Sequence, residues 1–170
     1  MNVPLETERL LIRRFETADL PHFLSFMLNE NSTRYLMFEP DQKTEAGAIA
    51  LFNFVYEAYG TAEPIHSYGI ATKENNQYVG SCGYAPYTEG ILECYYSINE
   101  AHQNQGIATE ALRGLVAELA KKAEVRAYCH PENYSAHAVA KKAGFLSQGL
   151  HRHQHFKQEG ELFIFPRQPQ

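Results

Sequence analysis

The hexapeptide Gln103-Asn104-Gln105-Gly106-Ile107-Ala108 stands where a strand-like run gives way to the longest helical pattern of the chain. A loop in that place aims unpaired backbone N–H groups and the positive end of a helix dipole at one spot, which suits a phosphate. Gly106 has no Cβ to obstruct an approaching pyrophosphate, and Ala108 keeps the first helical turn open. By itself the loop also reads as a solvated strand-to-helix turn. There is no G-x-x-x-x-G-K-[ST] and no G-x-G-x-x-G after a first strand, which excludes a P-loop NTPase and a Rossmann dinucleotide site.

Other residue types capable of chemistry lie on neighbouring strand patterns. His130 ends one of them and, as an imidazole, is a candidate acid or base as well as an ordinary solvated loop histidine. Tyr96 and Tyr128 line a cleft or pack in the core. His151, His153 and His155 alternate along the penultimate strand pattern and would share one face. Same-face neighbours lie about 7 Å apart, wide for a shared zinc, so no metal is expected, although a metal-dependent hydrolase is the reading such a row would support. Cys82, Cys94 and Cys129 are odd in number and far apart, without C-x-x-C, and read as reduced, buried strand residues.

The elements that must hold these residues follow from hydrophobic period. Strands are expected over 9–15, 66–72, 77–84, 91–98, 125–129, 146–156 and 161–165, with turns at 74–76 and 86–90. Helices are expected from Thr17 to Leu28, from about Thr44 to Tyr59, over Gly106–Ala123, and from Asn133 to about Ala143, where Gly144 is the C-cap. The polar stretch from Asn29 to Arg34 interrupts the pattern. The expected fold is α/β: a mixed, mostly antiparallel sheet flanked by helices.

At 170 residues the chain suits one domain, and apolar and charged contents of 44% and 21% exclude disorder and a disulfide scaffold. A formal charge of −5 disfavours a partner bound through nucleic-acid phosphates. Residues 1–8 lack the apolar core of a signal peptide, and no stretch approaches the ~20 apolar residues of a membrane span. A cytoplasmic protein without a membrane partner is expected.

Gln103-x-x-Gly106-x-Ala108, followed by Thr109-Glu110-Ala111-Leu112, resembles the [QR]-x-x-G-x-[GA] signature of the GNAT superfamily of acyl-CoA-dependent N-acetyltransferases. Leu5-Glu6-Thr7-Glu8-Arg9-Leu10 with Arg13 to Asp19-Leu20, Glu93-Cys94-Tyr95-Tyr96-Ser97-Ile98, and Pro131-Glu132-Asn133 ahead of Lys142-Ala143-Gly144-Phe145 are similar to the branch that acetylates ribosomal-protein N-termini. The resemblance implies that Gln103, Asn104, Gln105, Gly106, Ile107, Ala108 and Thr109 hold the pyrophosphate of acetyl-CoA. It implies further that the sheet splits between the strands ending at Ile98 and Cys129 to admit the pantetheine, and that a backbone donor near Ile98 polarises the thioester carbonyl.

Asn133 matches the family asparagine that hydrogen-bonds the pantetheine or thioester, and is also a favoured helix cap. Glu93 matches the family glutamate that acts on the incoming ammonium through water, or is a structural strand carboxylate. Where relatives carry an acid for the leaving thiol this chain has Ala136 and Ala140, so that role cannot be transferred; Tyr134, Ser135 and His137 are turned about 100° away per position. The implied function is acetyl transfer from acetyl-CoA to a primary amine, a protein N-terminus or a small molecule, by a monomer or homodimer of one domain over residues 1–170. The alternative is an acyl-CoA-binding sensor without catalysis. The acceptor is expected to enter between Asn29–Pro40 and the loops around Pro86 and His153.

Overall fold

A computed structural model describes residues 1–168. Its eight strands are β1 (Leu5–Glu6), β2 (Leu10–Arg13), β3 (Ser67–Thr72), β4 (Tyr78–Thr88), β5 (Ile91–Ile98), β6 (Glu124–Cys129), β7 (Leu146–Arg152) and β8 (Glu159–Phe165). They form one sheet in the order β1-β2-β3-β4-β5-β6-β8-β7. Every pairing is antiparallel except β5 with β6. The mixed, mostly antiparallel α/β expectation therefore holds.

The helices are α1 (Leu20–Met27), α2 (Glu30–Thr33), α3 (Glu45–Ala58), α4 (Ile107–Leu119) and α5 (Tyr134–Lys142). Because strand side chains alternate between faces, the sheet builds two cores. On one face Leu10, Ile12, Ile70, Cys82, Cys94, Val125, Ala127 and Phe163 meet the apolar stripe of α4 and the small residues of α5. On the other, Phe15 and Tyr78 meet Phe23, Phe26 and Met27 of α1 and Phe52 and Val55 of α3. Each such fully buried large side chain contributes about 1.5–3 kcal/mol of transfer free energy.

Several boundaries differ from expectation. Thr17–Asp19 is a 3₁₀ turn rather than the start of α1, and the cap is Glu16, whose N–H donates to Asp19 Oδ2 at 2.8 Å. The polar stretch after α1 holds the short α2, capped by Asn29, whose Oδ1 accepts from the Ser32 N–H at 3.2 Å. β4 runs on to Thr88 through Pro86. That is tolerated because the β3 ladder ends at Gly83, so the missing proline N–H leaves no partner on that side unpaired. Among the described residues no helix is long and apolar enough to cross a membrane.

Candidate functional site

The parallel pair β5 and β6 is in register only at Ile91, Leu92 and Glu93 opposite Glu124, Val125 and Arg126. Beyond that, β5 continues on β4 to Ile98 while β6 continues on β8 to Cys129, so the two strands diverge and the sheet opens between them. This is the split expected between the strands ending at Ile98 and Cys129. Asn99 N–H donates to Val79 O at 2.9 Å, and the alternation of an antiparallel ladder then turns the Tyr96 and Ile98 N–H groups toward the gap. Gln103 Nε2 donates to Ile98 O at 3.1 Å, tying the loop to the strand end.

At the mouth of the gap Gly106 is the N-cap of α4 with φ +75°, and Asn104 has φ +60°. No side chain caps this helix, so its first N–H groups face the loop. The loop is braced from β2's approach. Arg9 Nη1 donates to Gln105 O at 3.0 Å, and Glu110 accepts from Thr7 Oγ1 at 2.6 Å, Arg9 N–H at 2.7 Å and Arg9 Nε at 2.6 Å. Burial alone would raise the Glu110 carboxyl, but these donors and the Arg9 charge outweigh it and hold the group below its ordinary value. Arg9, Gly106, Thr109, Arg113 and Lys142 line an open cavity of about 900 Å³ beside the loop. Glu6, Glu8 and Glu110 line it as well and balance the three basic side chains, so the helix terminus at Gly106 is the feature that fits a phosphorylated ligand.

Asn133 caps α5, its Oδ1 accepting from Ala136 N–H at 3.3 Å, which leaves Nδ2 as a donor. Ala136 and Ala140 offer no proton. The Tyr96 hydroxyl reaches this region instead, donating to Ala136 O at 2.9 Å and lying 3.7 Å from Cys129 Sγ; burial holds it well above its ordinary value. Tyr134 is 74% exposed, and His137 Nε2 meets His130 O at 2.9 Å, so neither serves the gap. Cys82, Cys94 and Cys129 are buried and unpaired as expected, with burial pushing the Cys82 thiol up to about 12 and Cys129 up to about 11.

Beside Cys94 on β5, Glu93 points into a narrow slot lined by Tyr35, Met37, Tyr128, His130, His153 and Phe156, of about 70 Å³. Its carboxylate lies 3.0 and 2.9 Å from His153 Nε2. His130 is stacked on Tyr35 with ring centroids 4.7 Å apart, and its Nδ1 accepts from Glu132 N–H at 3.1 Å. Glu93 and His130, candidates from different strands, thus share one slot. Among the described residues Glu159 is the other acidic group of the slot, and no Lys or Arg lines it.

The histidine row is corrected. β7 ends at Arg152, so the three do not project from one strand face: His151 is exposed against Gln148 O, His153 is buried on Glu93, and His155 turns back to Tyr87 O. Among the described residues no three His, Cys, Asp or Glu side chains gather as a metal site. The slot is framed by Tyr35, Met37 and the 153–160 loop, whereas Glu30, Glu39 and Pro86 stay outside it. Sequence reasoning missed the Glu93–His153 contact and the Thr7–Arg9–Glu110 brace. Both join residues 60 or more positions apart, with no local pattern to mark them.

The uncharacterized N-acetyltransferase p20 of Bacillus licheniformis is 26% identical over 155 residues, covering 87% of this chain and 85% of that one. Among solved structures, the ribosomal L7/L12 α-N-protein acetyltransferase RimL in complex with coenzyme A superposes with a TM-score of 0.73 at 14% identity, covering 96% of this chain and 97% of that one. Spermidine N-acetyltransferase from Vibrio cholerae, in complex with CoA and spermine, does so with a TM-score of 0.73 at 17% identity, covering 93% and 95%. These two share the fold. Residues 9–146, which contain the gap, the Gly106 loop and Glu93, match the Acetyltransferase (GNAT) domain, and the chain belongs to that family of acetyltransferases.

Proposed function

We propose that this protein transfers the acetyl group of acetyl-CoA to a primary amine, either the α-amine of a protein N-terminus or a small molecule, acting as one domain over residues 1–170 in the cytoplasm. The observation that carries this reading is the sheet opening between Ile98 and Cys129, with the Gly106 loop at its mouth and Glu93 in a slot beside it. Acetyl-CoA supplies the activated acyl group. The N–H groups of Asn104 to Thr109 bind its pyrophosphate, with Gly106 leaving their approach open, while Gln103, whose own N–H donates to Glu100 O at 3.3 Å, holds the loop to the end of β5. The Tyr96 N–H and Asn133 Nδ2 hold the arm, and the Ile98 N–H polarises the thioester carbonyl.

Glu93 accepts a proton from the incoming ammonium, directly or through one water, and the freed amine forms the C–N bond as the C–S bond breaks. The departing sulfur keeps the bonding pair, and the second proton lost by the nitrogen passes to that thiolate or to water. An ordinary thiol near pKa 8.5 leaves tolerably as thiolate, consistent with alanines at 136 and 140. His130 is the second titratable group in reach. Those alanines also support a non-catalytic sensor, the second reading.

CoA release from acetyl-CoA is the test, with the tripeptide Ser-Ala-Ala, Nα-acetyl-lysine amide and spermidine as acceptors. Release with at least one amine is expected. Glu93→Gln should lower kcat/KM by about 10²-fold, more for the lysine ε-amine than for the α-amine, because a group near pKa 10.4 depends more on losing its proton. Binding of acetyl-CoA without release for any amine would select the sensor.

A further inference from the structure

We propose that His153 is a positioning residue for acetyl transfer: it donates its Nε2 proton to both oxygens of Glu93 and holds that carboxylate toward the slot. The proposal rests on the reading of Glu93 as proton acceptor. His153 is 4% exposed, and both ring nitrogens are engaged. Nδ1 accepts from the backbone N–H groups of His155 and Phe156, each at 3.1 Å. A backbone N–H only donates, so Nδ1 carries no proton, and the ring proton is assigned to Nε2. That proton faces Oε1 at 3.0 Å and Oε2 at 2.9 Å.

Two consequences follow from this bonding. With Nδ1 already accepting and Nε2 already donating, His153 has no lone pair to offer an acceptor ammonium, so the base is Glu93, whose side chain keeps 25% of its surface accessible. The bond to both oxygens fixes the carboxylate plane and leaves its outward lone pairs for the proton it takes. The ring plane is fixed in turn by Tyr87, Tyr128 and Phe156, with centroids 5.2, 4.6 and 4.7 Å away. The loop carrying it is anchored where Gln154 N–H donates to the Tyr87 hydroxyl at 3.0 Å and His155 Nε2 donates to Tyr87 O at 3.0 Å.

A clamp that merely ties the 153–158 loop to β5 would use the same contact, so the test separates the two roles through Glu93. CoA release is measured with the best acceptor of the panel above for His153→Leu and His153→Gln, each alone and combined with Glu93→Gln. Expected are a loss in kcat/KM of about 10-fold or more for His153→Leu, partial rescue by His153→Gln, whose amide N–H replaces the donor, and disappearance of both effects in the Glu93→Gln background. Acetyl-CoA affinity by calorimetry should be unchanged throughout. The ¹⁵N spectrum of the wild-type chain at pH 7.5 should show the His153 ring proton on Nε2; this readout stands even if His153→Leu does not fold.

An equal loss with and without Glu93, or a proton on Nδ1, overturns the proposal while leaving the transferase reading intact. A wild-type protein inert with every amine overturns that reading and the proposal together, and the wild-type control makes the two failures distinguishable.

Discussion

Gly106 turns with φ +75°, and a Cβ there would meet only Arg9 Nη2, at 3.4 Å and at the end of a flexible side chain. Within the protein, therefore, conformation rather than crowding demands glycine. A β-branched residue in the left-handed region costs about 1–2 kcal/mol and would relax by moving the loop N–H groups out of alignment. Gly106→Val is expected to weaken acetyl-CoA binding by about 10-fold or more by calorimetry. Gly90, with the same φ of +75° and nothing within 4 Å of a Cβ, supplies the control: Gly90→Val should lower stability similarly and leave that affinity unchanged. Gly106 stood out in the sequence because a glycine at one strand-to-helix junction is a local signal, whereas Glu93 was singled out by the family resemblance. The role of His153 was not legible, because its meaning comes from Glu93, 60 positions away, and from β7 stopping at Arg152, which period-two alternation of histidines concealed.

Helix α4 is oriented by Glu110, one turn from the loop, through Thr7 and Arg9 on the approach to β2. Because the folded carboxyl is held below its ordinary value, its contribution to stability is present above the unfolded glutamate value of about 4.3 and is lost as pH falls through the folded one. Glu110→Gln should therefore lower stability by about 1–2 kcal/mol at pH 7 in urea titration, from weakened charge-assisted hydrogen bonds. The gap between variant and wild type should narrow as pH falls below the unfolded glutamate value of about 4.3 and close once the native carboxyl is protonated as well. A gap independent of pH would mean that shape, not charge, makes the brace. Elements governed by their own period were readable: α3 and β5 stand at or within a residue or two of their expected limits. The two-residue β1, the four-residue α2 and the end of β4 were not, since β1 exists only by pairing with β2, α2 by its Asn29 cap, and the end of β4 by its hairpin pairing with β5.

At the scale of the whole molecule, a strand-pairing defect opens the sheet between β5 and β6. An uninterrupted parallel ladder between β5 and β6 would consume the backbone groups of Cys94 to Ile98; instead β4 holds one side of that strand and leaves the other to the opening. The split was expected from the resemblance alone, because divergence of two strands leaves no mark in hydrophobic alternation: Cys94, Tyr96 and Ile98 alternate as they would in a closed sheet. An extended pantetheine arm carrying two amides completes this edge as an added strand would, so acetyl-CoA should restore the missing ladder. Hydrogen exchange read residue by residue tests this directly. Saturating acetyl-CoA should slow exchange at the Tyr96 and Ile98 amides by about the factor that binding adds to stability, near 10²-fold at 100 times Kd when exchange requires ligand release. Tyr95 and Ser97, whose N–H groups face β4, should change less. Equal protection along all of β5 would indicate general tightening of the fold, and no protection at Tyr96 and Ile98 would place the arm outside the gap.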